Sequence, residues 1–403
     1  MAVALDPADY APPPAALPGP EAVSVYLHLP FCRERCPYCD FFVKVERQPE
    51  AAAVNAFVDA LEREIRLVPR HYPAFDGVKA RTIYFGGGTP SFLPPAQLDR
   101  LMHALGEVFD IDPFAEITME ANPSSLFREH LAAYRAMGIN RLSIGVQALE
   151  EGALRVLGRG HDRRMAIDAL EAAAGAGLMS YSADLMFGYP GHTPEALEAA
   201  LRFLASDLAV PHISAYCLTI HEGTPYQRMH DDGRLQLPDD AVVVEMFERL
   251  RTGAAALGLP PYEISNFARS GHESRHNTAY WRLEPVVPLG PSACGYLNDT
   301  RVENPRSMEQ WMAPIAEGSL PWRWLHPAAG RTLAGEVMMC ALRRTEGATW
   351  SWLTQACGGD PRQLYAAELA RAHERGWIVM SDEGLRLSER GVLWSDSLFE
   401  EFL

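Results

Sequence analysis

The sequence predicts an α/β protein: a partial (βα)6 barrel followed by a small C-terminal winged-helix-like α+β domain. Two observations carry the prediction. From residue 23 to about residue 218, short apolar runs alternate with longer amphipathic stretches, which is the pattern of βα units around a parallel sheet. Beyond residue 327, three helical patterns give way to two short strand-like pieces, the order found in a winged-helix module.

Strands are expected at 23–29, 82–85, 116–120, 141–145, 181–185 and 212–218, separated by helical patterns such as 51–68, 95–109 and 194–205. In such sheets ligands collect at the carboxyl ends of the strands, so a polar motif just after a strand is well placed for chemistry. Residues 304–327 hold Pro305, Pro314, Pro321 and Pro327 and read as a linker. Helical patterns then follow at 332–344, 350–357 and 361–375, with strand-like pieces at 378–381 and 385–387. The domains expected are a disordered Pro/Ala-rich leader (1–21), the barrel with an extension (22–303), the linker (304–327) and the C-terminal domain (328–403).

Composition narrows the function classes. With 48% hydrophobic and 22% charged residues the 403-residue chain is that of a soluble globular protein, and no apolar run approaches the ~20 residues of a membrane span. The leader lacks the basic start and apolar centre of a signal peptide, so a cytoplasmic setting is expected. A net charge of −16 and the lack of a basic stripe argue against nucleic acid. Seven cysteines without a regular framework outside one trio suit reduced thiols, and Cys217, Cys340 and Cys357 read as ordinary buried residues.

That trio is Cys32, Cys36 and Cys39, spaced C-x3-C-x2-C just after the first strand. Thiolates favour iron–sulfur clusters or zinc, and three of them leave one iron of a 4Fe–4S cubane free for a small molecule. A zinc site completed by His28 or Asp40 is the competing reading, although no second short C/H unit follows. Next comes Gly86-Gly87-Gly88-Thr89-Pro90, where successive glycines allow a backbone to approach a ligand and aim amide donors at it. Glu120, Gln147, Arg159 and Asp184 then fall at or after successive strand ends. Each has a bland alternative as a helix cap or solvated side chain. Together they are what a charged nucleoside cofactor needs: carboxylates and an amide for ribose hydroxyls, a guanidinium for a carboxylate.

These segments resemble the radical S-adenosylmethionine (SAM) enzymes. The likeness extends through residues 25–32, 82–90, 138–147, 184–191, 262–267 and 276–281, and within that superfamily it is to the oxygen-independent coproporphyrinogen III oxidase group and most of all to the HemW family of haem chaperones. The resemblance implies a 4Fe–4S cluster on Cys32, Cys36 and Cys39. It implies SAM held by Gly87, Gly88, Thr89, Glu120, Gln147, Arg159 and Asp184, with Tyr26 and Tyr38 flanking cluster and adenosine. His276-Asn277-x2-Tyr280-Trp281 matches that family's haem-binding motif, imidazole being a common axial ligand. The motif's place beyond the sixth strand suggests a planar ligand lying beside the barrel. Where relatives commonly carry a histidine this chain has Cys294, a candidate second haem ligand. The oxidases add a fourth cysteine two residues after the third and a longer ordered region before the cluster; here Phe41 stands at that position and the leader is short. The implied partners are haem and client haemoproteins, with clients at the membrane surface and a homodimer left open. The implied alternative is a radical enzyme, a porphyrinogen decarboxylase or a methyltransferase or cyclopropanase on the same fold.

Overall fold

The computed structural model describes residues 9–48 and 50–403. Six parallel strands form the barrel: β1 (Ala22–Leu29), β2 (Lys79–Gly87), β3 (Asp110–Ala121), β4 (Arg141–Gln147), β5 (Ser180–Phe187) and β6 (His212–Cys217), paired in chain order. They are the six expected strands, several of them longer. Alternation sorts their faces. On β1, Val23, Val25, Leu27 and Leu29 are buried against helices, while Tyr26 and His28 stand on the opposite, inner face. Outside pack α1 (Ala51–His71), α2 (Pro95–Val108), α3 (Arg128–Ala136), α4 (Arg163–Gly175) and α5 (Pro194–Arg202). On α1 the apolar stripe Val54, Phe57, Val58, Leu61, Ile65 and Val68 has helical spacing. Proline occupies the first turn of α2 and α5, where its missing N–H costs nothing, and Asp162 caps α4 by accepting from Met165 N–H at 2.8 Å.

The sheet does not stop at six strands. β7 (Asn266–Ala268) runs antiparallel along β6, and on the other edge β8 (Val286–Leu289) runs parallel to β1, followed by the antiparallel strands β9 (Cys294–Leu297), β10 (Thr300–Glu303) and β11 (Arg323–Leu325). Residues 304–327 are therefore not a linker. They carry β11 and a helix, Met308–Ala316, whose Trp311 is fully buried against α1, and Pro314 sits inside that helix. The leader is also corrected in part. Residues 1–8 lie outside the described residues, but Tyr10–Ala11 pairs with β11, the Tyr10 hydroxyl donates to Glu303 at 2.5 Å, and Leu17 is buried.

One buried carboxyl holds this extension to the barrel. Glu64 on α1 accepts from Gly290 N–H at 2.8 Å, from Asn304 Nδ2 at 2.7 Å and from Trp311 Nε1 at 3.0 Å, tying the end of β8, the end of β10 and the following helix to one point. Burial pushes it up to about 7 against those donors.

The C-terminal unit has its own core, including Val337, Met338, Trp350, Tyr365, Leu369 and Phe402. Its helix Gly330–Arg343 leads to Trp350–Ala356, and a three-stranded sheet joins Ala348–Thr349, Gly384–Leu387 and Ile378–Met380. The single helix expected at 361–375 is two, Pro361–Leu364 and Ala366–Glu374, broken at Tyr365, whose hydroxyl bonds to Arg331 O at 2.5 Å and Phe402 O at 2.9 Å. Backbone bonds join this unit to the barrel: Ile264 N–H to Arg343 O at 3.1 Å and Thr345 N–H to Tyr262 O at 3.0 Å. Arg343 also lies 4.6 Å over the Trp281 ring. Among the described residues no helix is long and apolar enough to cross a membrane.

Because Glu64 holds its proton more tightly folded than unfolded, its contribution is present below pH 4.5 and is lost as pH rises through about 7. Wild type should therefore lose stability relative to Glu64→Gln over this interval, at up to ~1.4 kcal/mol per pH unit, read by urea unfolding at pH 5 and 8. Glu64→Ala, which strands three buried donors, should cost about 3 kcal/mol or more at either pH.

Candidate functional site

At the carboxyl ends of the strands the three cysteines lie in the loop after β1. All are free thiols, half-buried, and they act on one another electrostatically. Desolvation raises Cys32 and pushes Cys39 up to about 11, so these two thiols are protonated unless a metal draws off the protons. Arg159 donates from one terminal nitrogen to Cys36 Sγ at 3.3 Å and from the other to Gly145 O at 2.9 Å, while its Nε is buried without a partner. Thr89 Oγ1 is 3.5 Å from Cys32 Sγ, and Tyr38 reaches Cys36 and Arg159. Cys36, Thr89 and Arg159 face a cavity of about 430 Å³, whose other walls include Arg33, Ser91, Asn122 and Ser125. Among the described residues no group of His, Cys, Asp and Glu converges on a single metal ion. The two extra zinc ligands considered from sequence are engaged elsewhere: His28 Nε2 bonds to Phe42 O at 2.8 Å and Asp40 faces His221 at 3.6 Å. In a cubane each thiolate takes a different iron, so three neighbouring thiols with no further ligand converging on them suit a cluster better than one ion.

The glycine loop works differently from the expectation. Its amides do not point at a ligand: Gly87 N–H goes to Glu120 at 3.0 Å, Gly88 N–H to Leu29 O at 2.9 Å and Thr89 N–H to Phe31 O at 2.8 Å. The glycines are there for closeness. Gly87 has φ +106°, and a Cβ there would sit 2.7 Å from the His28 ring; one on Gly88 would sit 2.7 Å from the Pro30–Phe31 backbone.

Inside the barrel mouth, Glu120 accepts from Tyr84 Oη at 2.9 Å and is pushed by burial up to about 7. Asp184 accepts from Ser143 at 2.7 Å and Ser182 at 3.0 Å, and burial raises it too. Gln147 takes a left-handed φ of +64° beside Gly145, at the point where the β4–β5 register shifts. Tyr26 faces the lumen, stacked on Tyr84 at 6.0 Å with its hydroxyl 3.2 Å from His28.

The haem motif is divided rather than gathered. His276 lies on a helix, Arg275–Trp281, whose N-terminus is capped by Glu116: Oε2 accepts from Arg275 N–H at 2.9 Å and Oε1 from His276 N–H at 3.1 Å. The imidazole is 1% exposed, bonded through Nδ1 to Thr82 at 2.7 Å and stacked on Tyr84 at 4.9 Å, and burial pulls it down to about 3. The expectation of a planar ligand beside the barrel is thus corrected: this ring plugs the barrel from within. Asn277 N–H is used by the Ser274 cap, Tyr280 bonds to Cys294 O at 3.1 Å, and Trp281 faces Arg343. Cys294 is open to solvent but enclosed on several sides, which raises its thiol to about 11. Cys217 is also exposed, against expectation, while Cys340 and Cys357 are buried.

Residues 26–204 match the radical SAM superfamily and residues 330–394 the HemN C-terminal domain. The heme chaperone HemW of Bacillus subtilis is 34% identical over 384 residues, covering 94% of this chain and 99% of that protein. The chain belongs to the HemW family. The family's heme chaperone HemW of Mycobacterium tuberculosis is 32% identical with 96% of each chain covered, and a mitochondrial radical S-adenosyl methionine domain-containing protein 1 of Bos taurus is 31% identical, covering 97% and 89%. In fold, the chain is similar to the radical SAM coproporphyrinogen III oxidase HemN of Escherichia coli, with TM-score 0.80, 24% identity and coverage of 94% and 90%. The architecture is thus the radical SAM α/β fold.

Sequence reasoning missed Tyr84 and Arg141, both of which face the lumen; alternation along β2 and β4 was the available signal. Gly88→Ala should push the Pro30–Phe31 backbone away from the loop. It should lower the melting temperature by several degrees and reduce iron retained after anaerobic reconstitution, with no ligand-contacting side chain changed.

Proposed function

We propose that this protein is a haem chaperone that uses a SAM-associated 4Fe–4S cluster and passes haem to client haemoproteins. The observation that carries the reading is near full-length similarity to proteins named heme chaperones, joined to a trio of free cysteines of which Cys36 opens on a cavity. Its setting is the cytoplasm, and its clients include haemoproteins at the membrane surface.

A cluster held by Cys32, Cys36 and Cys39 would supply one electron to a SAM sulfonium when bound. The chain's own part is electrostatic and positional. Arg159 sets a fixed positive charge and an N–H donor against Cys36 Sγ and leaves Nε for an acceptor such as a carboxylate. Tyr38 closes over the same corner. Glu120 and Asp184, kept in place by Tyr84, Gly87 and the serines, have lone pairs left for hydroxyl donors such as those of a ribose, with Gln147 beside them. Gly87, Gly88 and Thr89 bring the strand end close enough for that contact. No step is assigned to haem through His276, because its ring is enclosed. Tyr280 and Cys294, nearer the mouth, stay as its candidate contacts alongside Asn277 and Trp281.

Anaerobically reconstituted wild type should show broad visible cluster absorption, lost in Cys36→Ala, and should bind haem without decarboxylating coproporphyrinogen. Arg159→Ala should weaken SAM binding by about 1.5–3 kcal/mol in calorimetry. A cluster of full intensity in Cys36→Ala, or porphyrinogen turnover with no haem bound, would overturn the reading in favour of a radical decarboxylase.

A further inference from the structure

The floor of the barrel holds a guanidinium with no hydrogen-bond or ion-pair partner among the described contacts. Arg141 opens β4 and is 2% exposed, yet it has no ion pair and no hydrogen bond among the described contacts, and its Nε is buried and unpartnered. Register places it beside Thr118 on β3 and Ser180 on β5. Around it the unpartnered atoms repeat: His276 Nε2 and His212 Nδ1 are both buried without partners, in residues exposed by 1% each.

Each imidazole is fixed by its other nitrogen or by a neighbour. His276 Nδ1 bonds to Thr82, His212 Nε2 to Tyr262 Oη at 2.9 Å, and His272 Nδ1 to Ser180 Oγ at 2.9 Å. The charge of Arg141 helps to keep all three neutral, burial doing most of it. The carboxylates of this interior are committed elsewhere: Glu116 to the Arg275 and His276 amides, Asp184 to serines, Glu263 to Asn266. Asp184 feels the charge of Arg141 but gives its oxygens to serines, so the buried guanidinium is left with unmatched donors, which is unfavourable.

We propose that Arg141, His212 and His276 form a binding site for a carboxylate group at the floor of the barrel. One permanent positive charge matches a monoanion, whereas a dianionic phosphate would stay under-neutralised among Asp184, Glu116 and Glu263. The planar fork of a guanidinium matches the two oxygens of a carboxylate, and a neutral imidazole donates from whichever nitrogen carries the proton. The layer above is reachable: Tyr216, next along the strand from the Asp184 neighbourhood, is 44% exposed while facing the lumen. Two sources share this chemistry, a free small carboxylate and a propionate arm of a tetrapyrrole. Only the second rests on the haem reading.

The test uses full-length wild type, Arg141→Lys and Arg141→Gln. 13C-labelled acetate is titrated by NMR line broadening against chloride at equal ionic strength, and haem and haem dimethyl ester are titrated in parallel. Acetate should bind wild type saturably, several-fold more weakly to Arg141→Lys and at least tenfold more weakly to Arg141→Gln. If a propionate is the occupant, haem should bind wild type at least tenfold more tightly than its dimethyl ester, with the difference lost in Arg141→Gln. Should Arg141→Gln fail to fold, the comparison of wild type with Arg141→Lys decides alone. Failure of haem to bind at all leaves the acetate result standing and counts only against the chaperone reading. Acetate and haem affinities indifferent to Arg141 would mean water only at this floor and would overturn the proposal.

Discussion

The cysteine loop is held by main-chain hydrogen bonds on both of its sides, and the geometry of the whole mouth follows from them. Gly88 N–H and Thr89 N–H reach Leu29 O and Phe31 O from one side, while Lys44 N–H reaches Pro30 O at 2.7 Å and Glu46 N–H reaches Cys32 O at 2.9 Å from the other. Each such bond is worth only about 1 kcal/mol net. Their effect is positional: they continue the sheet by one further rung past the end of β1, so that Cys32 is delivered at a fixed height above the lumen. Side chains on Gly87 or Gly88 would force the two backbones apart. The glycine run is thus a packing device for the cysteines as much as a wall of a ligand site.

What the sequence disclosed was local, and what it concealed was set by register. The cysteine spacing, the glycine run and the polar residues at strand ends could be read because each depends on neighbours a few positions away. The parallel barrel was legible for the same reason, from alternating run lengths. The proline-rich stretch 304–327 misled, because composition reports the number of helix breakers and not the burial of Trp311, which bonds to Glu64, 247 positions earlier. His276 was misplaced for a like reason. A histidine on a short helix reads as a surface ligand, and only the pairing of β2 with β3 shows that Thr82 and Glu116 wait beneath it. Tyr365 broke an expected helix through bonds to two distant carbonyls, which no local propensity encodes.

The lumen is layered by polarity. At the mouth, the Cys36 thiol, the guanidinium groups of Arg33 and Arg159 and several hydroxyls face a sizeable cavity. In the middle, Tyr26 and Tyr84 stack above His276, between that region and the floor. Glu120 above and Glu116 below are thereby kept apart although both belong to β3. A carboxylate poised near neutrality and another consumed in capping a helix show how one strand can serve chemistry at one end and architecture at the other.

The helix that carries His276 ends at Trp281, and Trp281 lies under Arg343 of the C-terminal unit, while Tyr262, which bonds His212, also receives the Thr345 amide. The inner ring and the outer module therefore share a mechanical lever. Any event that extracts the imidazole from beneath Tyr84 must disturb the tryptophan at the other end of a seven-residue helix. Thermodynamic reciprocity then makes the C-terminal unit a reporter on the barrel interior: a partner that grips the outer module tightly alters the cost of opening the inner one by the same free energy with which opening alters the grip.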